Sequence, residues 1–180
     1  SVCAILMTLS LIGALQLNFT HHVLKWLPET ADVRIATEKI DTTLKGSVVM
    51  EVIVDSGQVN GLFDIDILNN LEGLAREFEK IKQEDLFVGK ATSVADILKE
   101  IHRALNENRA EYYVIPQDPA LIPQEFLLFE NSGSDDLEDV VDAQFQTARF
   151  TIKVPWLDAV KYVTLLDDLA DRFNRSLGDK

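Results

Sequence analysis

Hydrophobic residues recur along the chain with two spacings, one typical of helices and one typical of strands. The clearest helical spacing covers residues 64–82, where apolar side chains gather on one stripe. Over residues 144–154 a regular alternation instead predicts a half-buried strand, with Phe150, Ile152 and Val154 facing inward. The same two patterns predict further helices over residues 30–44, 93–105 and 158–177, and strands over residues 47–55 and 86–94.

Each predicted helix has its own apolar stripe. The stripe of the first helix consists of Val33, Ala36, Ile40 and Leu44. That of the second consists of Ile67, Leu68, Leu71, Leu74, Ala75, Phe78 and Ile81. That of the last consists of Val163, Leu166, Leu169, Phe173 and Leu177. We expect these stripes to face the core, because an amphipathic helix is stabilised mainly by burying one face.

Local signals mark several ends of these elements. Gly46 is a stop after the first helix, and Pro155 ends the strand that alternates over residues 144–154. Ser93, followed three residues later by Asp96, predicts a capping box at the start of a helix. Pro123 suits the first turn of another short helix.

The order of the main elements is strand, helix, strand, a helical insertion, strand and helix. This order predicts an α+β fold and supplies five of the six elements of a split β-α-β arrangement, which runs β-α-β-β-α-β. The sixth element would be a strand beyond Lys180. We therefore expect a ferredoxin-like domain with a helical insertion over residues 31–180.

The amino-terminal segment differs from the rest of the chain. Val2 to Leu17 contains no charged residue, and the next charge is Lys25. We interpret residues 1–17 as the end of a transmembrane helix and residues 18–30 as a linker leaving the membrane. A signal-peptide remnant and a fully buried core helix are the alternatives. Because the chain begins with Ser1, we expect a fragment or a processed product.

Composition and charge narrow the functional classes. The chain has 180 residues with 47% hydrophobic and 26% charged residues, which is typical of a globular protein. Its formal charge of −13 disfavours nucleic acid as a partner. The single cysteine, Cys3, excludes an internal disulfide and a multi-cysteine metal site.

Motifs for catalysis and cofactors are missing from the sequence. There is no phosphate-binding loop, no dinucleotide fingerprint, no zinc-protease motif and no serine in a nucleophile elbow. Residues 55–66 resemble a calcium loop, but Gly57 and Val59 replace oxygen ligands, so a turn is favoured. The pair His21 and His22 and the acidic run over residues 135–142 are weak metal candidates. We expect no enzyme activity, no cofactor and no metal.

An aromatic group is the best candidate for a ligand-binding surface. It lies within a stretch, between Ala110 and Ala148, that contains no Lys or Arg. Ordinary core residues are the alternative interpretation, because large aromatic side chains are usually buried. The members of the group are Tyr112, Tyr113, Phe126 and Phe129.

The order of these features resembles the first extracytoplasmic loop of the resistance-nodulation-division (RND) superfamily, and the closest similarity is to exporters with the MMPL domain. The resemblance covers essentially the whole chain. Its most specific stretches are residues 89–107, GKATSVADILKEIHRALNE, and residues 122–142, IPQEFLLFENSGSDDLEDVVD. Further matching stretches are Trp26-Leu27-Pro28, Gly46-Ser47, residues 51–55 and residues 148–156.

The resemblance implies a periplasmic porter domain of a proton-driven transporter in a bacterial inner membrane, with residues 18–180 on the periplasmic side. The implied partners are the lipid bilayer, a hydrophobic or lipid-like substrate for export, a second porter domain of the same transporter and further copies of the chain. The proton-relay residues of such transporters lie in later membrane helices. The alternative function is a membrane-tethered periplasmic domain that binds or senses a ligand.

Overall fold

The computed structural model describes Met7, Ser10 and residues 23–83, 85–133 and 137–178. These residues form a mixed α+β fold with five α-helices and two small antiparallel sheets. The helices are α1 (Asp32–Thr43), α2 (Ile65–Phe78), α3 (Val94–Leu105), α4 (Leu121–Glu130) and α5 (Ala159–Leu177). The strands are β1 (Val48–Asp55), β2 (Lys82–Gln83), β3 (Leu86–Phe87), β4 (Lys90–Thr92) and β5 (Thr147–Val154).

The main sheet has three strands in the order β1-β5-β4. β5 is antiparallel to both neighbours, so β1 and β4 run in the same direction, and α2 lies between them in the chain. β1 pairs with β5 over its full length, from Val48 opposite Val154 to Asp55 opposite Thr147. β2 and β3 form a separate two-stranded hairpin.

The inner face of the main sheet packs against α2 and α5. Phe150 on β5 lies edge-to-face with Phe78 of α2 at 5.7 Å between ring centroids, and with Phe173 of α5 at 5.1 Å. The predicted inward residues of β5, Phe150, Ile152 and Val154, are all buried. The predicted stripe of α2 is also buried along its whole length, so the alternation and the helical spacing are both confirmed.

A second aromatic cluster extends this core towards α4. The Phe145 ring lies 4.7 Å from Phe63 and 5.3 Å from Phe126. Phe145 has a φ of +48°, a left-handed conformation that is rare for a bulky residue. Packing on two other rings and two hydrogen bonds of its backbone, to Asp142 and Leu62, hold it there.

Polar side-chain caps mark the starts of α2, α3 and α5. Asp64 Oδ1 accepts hydrogen bonds from the backbone of Asp66 and Ile67, which satisfies donors left open in the first turn of α2.

Gly46 precedes β1 with a φ of +125°, and a Cβ there would lie 2.7 Å from the Val154 carbonyl oxygen. The glycine is therefore required both by its conformation and by the close approach of β5.

Three predicted patterns differ from the structure. Residues 86–94 form two short strands, β3 and β4, rather than one. On α1 the predicted stripe is exposed, and the helix has no buried residue. On α5 the side chains of Val163 and Leu166 are exposed, whereas Leu165 is buried beside Leu169 and Phe173. The helical pattern was correct in both helices; the predicted buried face was wrong for α1, whereas on α5 Leu169 and Phe173 are buried as predicted and Val163 and Leu166 are not.

The predicted membrane helix over residues 1–17 lies outside the described residues, except for Met7 and Ser10. Within the described residues, no helix has both the length and the apolar character needed to cross a bilayer. His21 and His22 also lie outside the described residues.

Candidate functional site

A cleft of about 790 Å³ runs along the outer face of the main sheet. One wall is α3, the opposite side includes the carboxyl-terminal half of α4, and outward side chains of β4 and β5 line the cleft on the side of the sheet. The cleft is mainly apolar, with charged and hydroxyl groups at its rim. Its apolar lining is Ile97, Ile101, Ala104, Leu105, Tyr113, Leu128, Phe129 and Val140.

The capping box of α3 positions the first wall. Ser93 Oγ accepts a hydrogen bond from the Ala95 backbone, and the Ser93 backbone donates to Asp96 Oδ2 at 2.9 Å. Ser93 directly follows β4, so this reciprocal cap turns the chain from the sheet edge into the helix within one residue. The capping box predicted from the sequence is confirmed.

The register of the sheet positions the polar part of the cleft. Thr92 on β4 lies directly opposite Thr151 on β5, and both point to the outer face with Arg149. The Arg149 backbone donates to the Val140 carbonyl at 2.7 Å, which continues the pairing of β5 beyond the end of β4. One guanidinium and two hydroxyls therefore lie close together on adjoining strand positions.

A buried ammonium group supports the wall from behind. Lys99 on α3 is only 5% exposed, and its Nζ lies 2.9 Å from both Glu72 on α2 and Asp96. Burial by itself lowers the pKa of Lys99, but the hydrogen bonds to Glu72 and Asp96 outweigh it and raise that pKa above its ordinary value. Lys99 is therefore a cation that ties α3 to α2.

Tyr113 lines the cleft and lies beside two cations. Lys99 Nζ lies 4.9 Å from its ring centroid and the Arg103 guanidinium lies 5.4 Å away. Cations over an aromatic face are attracted by the partial negative charge of the π face, which arises from the ring quadrupole. The ring of Tyr113 is therefore anchored, although the residue remains 37% exposed.

Most rim charges are already engaged within the chain. Lys90 donates to Glu79 at 3.0 Å, which raises the pKa of Lys90. Glu100 is paired with Arg103. Among the charged side chains that line the cleft, Arg149 has the longest ion-pair contact, because its guanidinium lies 3.5 Å from Glu51 Oε1.

The four aromatic residues predicted to form a ligand surface are divided by the structure. Tyr113 and the half-buried Phe129 line the cleft. Phe126 is fully buried in the aromatic cluster of the core, beside Phe63 and Phe145. Tyr112 lies outside the cleft, with its ring 5.6 Å from that of His102. The cleft thus receives two of the four.

A buried polar pair joins α3 to α4 behind Tyr112. His102 Nδ1 lies 2.7 Å from Glu125 Oε1, and both side chains are largely buried. The other carboxyl oxygen of Glu125 is buried without a hydrogen-bond partner among the described residues. Neither residue lines the cleft, and the pair links the two helices that do.

Sequence reasoning missed most of the cleft lining. The alternation over residues 144–154 places Arg149 and Thr151 on the polar side of a strand. It does not predict that α3 packs next to that side and forms a cleft with it. α3 is apolar on two sides: Leu98 faces the core, whereas Ile97 and Leu105 face the cleft. That second apolar side was the available signal, because a helix with only one buried face does not need it.

The candidate metal ligands do not come together in the described part of the chain, where no group of three His, Cys, Asp or Glu side chains is placed to hold an ion. Asp135 and Asp136 lie outside the described residues. Asp142 instead accepts hydrogen bonds from the backbone of Thr147 and Gln146, and these bonds lower the pKa of its carboxyl group. They hold the backbone at the first residue of β5. After β1 ends at Asp55, residues 57–60 form bends and a turn, as the sequence predicts.

Comparison with known proteins gives no match to a protein-family model, to a curated protein or to a solved structure.

Proposed function

We propose that the chain is the end of a first membrane helix followed by the first periplasmic porter domain of a proton-driven RND exporter of the MMPL type. In this proposal the cleft guides a hydrophobic or lipid-like substrate on the outer side of a bacterial inner membrane. The observation that carries the proposal is the apolar lining of a cleft of about 790 Å³, a size within the usual range for small-molecule sites.

The strand order supports a ferredoxin-like porter fold. In a split β-α-β domain that lacks its last strand, the first and second strands are parallel and the third lies between them, as β1, β4 and β5 do here. Beside the edge of β1 that pairs with no other described strand, a groove of about 710 Å³ is lined by α5 residues including Leu166 and Phe173. The last strand of the arrangement would lie in this groove.

The shape of the cleft suits transport better than storage. Leu105 and Leu128 are each about half exposed, so the apolar lining is open to solvent on one side. A bound ligand would bury only part of its surface, and affinity depends on how completely that surface is buried. A second porter domain of the same transporter would complete the enclosure and would release the substrate when it moves.

Two neighbouring leucines on α4 provide a matched test. Leu128 and Leu127 are 56% and 57% exposed, but only Leu128 lines the cleft. In cells that express the complete gene, we expect Leu128→Glu to impair proton-dependent efflux of the apolar dye N-phenylnaphthylamine. Leu127→Glu should leave efflux unchanged, because it introduces the same charge at a position that does not line the cleft.

Two results would contradict this proposal. If the two variants are present in the membrane in equal amounts and export the dye at equal rates, the cleft is not on the substrate path. Dye binding by the protein without any efflux, with or without a protonophore, would favour the alternative of a membrane-tethered domain that binds or senses a ligand.

A further inference from the structure

We infer that the cleft selects amphiphiles with an anionic headgroup, and that Arg149 is the residue that reads the charge. This inference rests on the proposed binding of apolar ligands in the cleft. It adds the chemical class of the headgroup and a specificity-determining residue.

The placement of Arg149 within the cleft is the first support. It projects from β5 on the outer face, beside Thr151 on the same strand and Thr92 on the next. The two hydroxyls have no hydrogen-bond partner among the described residues. A guanidinium flanked by two free hydroxyl donors matches the oxygens of a carboxylate or a phosphate, which arginine binds with two parallel hydrogen bonds.

The availability of its charge is the second support. The other rim charges of the cleft have close partners: Lys90 is held by Glu79, Asp96 by Lys99, and Glu100 by Arg103. In contrast, Arg149 is 43% exposed in its side chain and reaches only Glu51, at 3.5 Å, within the described residues. A ligand oxygen at ordinary hydrogen-bond distance would therefore replace a weak contact rather than break a strong one.

The adjoining apolar surface provides for the rest of such a ligand. Ile97 and Ile101 of α3 face Leu128 and Phe129 of α4 across the cleft. An acyl chain laid between these two helices would leave its headgroup at the strands. The polar and apolar halves of the cleft thus match the two halves of an amphiphile.

The net charge of the protein disfavours the binding of anions in general. With a formal charge of −13, the chain as a whole repels anions. A preference for an anionic over a neutral ligand must therefore arise from local groups at the site. Among the described lining residues, the cations are Lys90, which is engaged, and Arg149.

The test uses displacement of N-phenylnaphthylamine from the full chain by twelve-carbon amphiphiles below their micellar concentrations. Laurate and dodecyl phosphate are the two anionic probes, and monolaurin is the neutral probe with the same chain. We expect either anion to bind more tightly than monolaurin. Arg149→Gln should weaken binding of that anion by about tenfold or more, the size of a lost charge-assisted hydrogen bond, and leave monolaurin unchanged.

Two further variants control for general electrostatics. Lys153→Gln removes a positive charge from the same face of the same strand, but Lys153 does not line the cleft, so the affinity for anions should not change. Glu51→Gln removes the competing contact of Arg149 and should strengthen anion binding. Thermal unfolding of each variant verifies that it is folded.

The outcomes separate this inference from the proposed function. If monolaurin binds but anions have no advantage, or if Lys153→Gln weakens anion binding as much as Arg149→Gln, charge selection by Arg149 is wrong while the apolar cleft stands. If none of the amphiphiles displaces the dye, both proposals fail.

Discussion

Helices α1 and α3 have the same length of 12 residues, and apolar periodicity predicts both, yet they contribute to the protein in opposite ways. α3 has five buried residues, begins with a capping box and forms a wall of the cleft. α1 has no buried residue, and its predicted stripe is exposed, with Val33 at 64% and Leu44 at 59%. The comparison shows that an apolar stripe predicts a helix but not its partner.

The amino-terminal caps also favour α3 over α1. Ser93 and Asp96 form reciprocal hydrogen bonds at the start of α3, whereas Ala31 precedes α1 without any side-chain cap. α1 is instead supported by local contacts, such as the pair between Arg34 and Glu38. Local contacts of this kind stabilise a helix by little, so most helical stability must come from tertiary packing.

The largest difference between the helices should appear when their apolar side chains are shortened. Leu98→Ala on α3 should destabilise the fold by about 2–5 kcal/mol, because Leu98 is fully buried and its loss leaves a cavity. Ile40→Ala on α1 should change the free energy of unfolding by no more than about 0.5 kcal/mol. Urea unfolding followed by circular dichroism measures both. A loss for Ile40→Ala as large as that for Leu98→Ala would show that α1 packs on a partner in solution.

An exchange of caps should give a smaller and opposite pair of effects. Ser93→Ala removes the acceptor for the Ala95 backbone and should cost about 1 kcal/mol. Ala31→Ser supplies an acceptor that α1 lacks and should increase the helix content of the chain. The same urea titration and the helical signal at low denaturant measure the two changes. If Ser93→Ala has no effect on stability, the cap does not hold the wall of the cleft.

The smallest effect should come from pH, through Lys99. The folded state raises the pKa of this side chain, so its charged form stabilises the fold fully below the unfolded pKa of about 10.4. That stabilisation should be lost as the pH rises through the higher folded pKa. Lys99→Met removes the titrating group and should flatten this part of the pH profile. The control is needed because other Lys and Tyr side chains titrate in the same range. Parallel alkaline profiles for the two proteins would show that Lys99 is not coupled to folding.

Sequence periodicity predicted the secondary structure around the sheet well, for a physical reason. β5 alternates inward and outward residues because one of its faces packs on α2 and α5, and this requirement leaves a period of two in the sequence. The stripe of α2 is equally clear, because the sheet and α3 bury one side of that helix. In both elements one buried face is enough to fix the pattern.

The apolar spacing failed to predict which side of α5 is buried along the first half of that helix. On α5 the most regular apolar stripe included Val163 and Leu166, but these two are exposed, and Leu165 is buried with the stripe residues Leu169 and Phe173. A spacing of three or four residues is satisfied by more than one set of positions, and the crossing of α5 over the sheet selects among them. The sequence contains no record of that crossing angle.

The site was predicted only in part, because its residues are distant in sequence. Tyr113 and Phe129 line the cleft as members of the predicted aromatic group, but Phe126, three residues before Phe129, turns into the core. Residues at this spacing lie on neighbouring positions of a helix, and only the docking of α4 decides which one is enclosed. The charges of the rim could not be ranked without the distances to their partners.

The sequence by itself determined the order of the helices and of the main-sheet strands, the capped start of α3, the inward face of β5 and the strongly negative charge. Each of these depends on local spacing or on composition. Only the tertiary structure decided that α3 rises beside β4 and β5, that α1 remains exposed, and that Arg149 is the least engaged charge of the cleft. These features depend on distances between segments far apart in the chain, which periodicity within one segment does not encode.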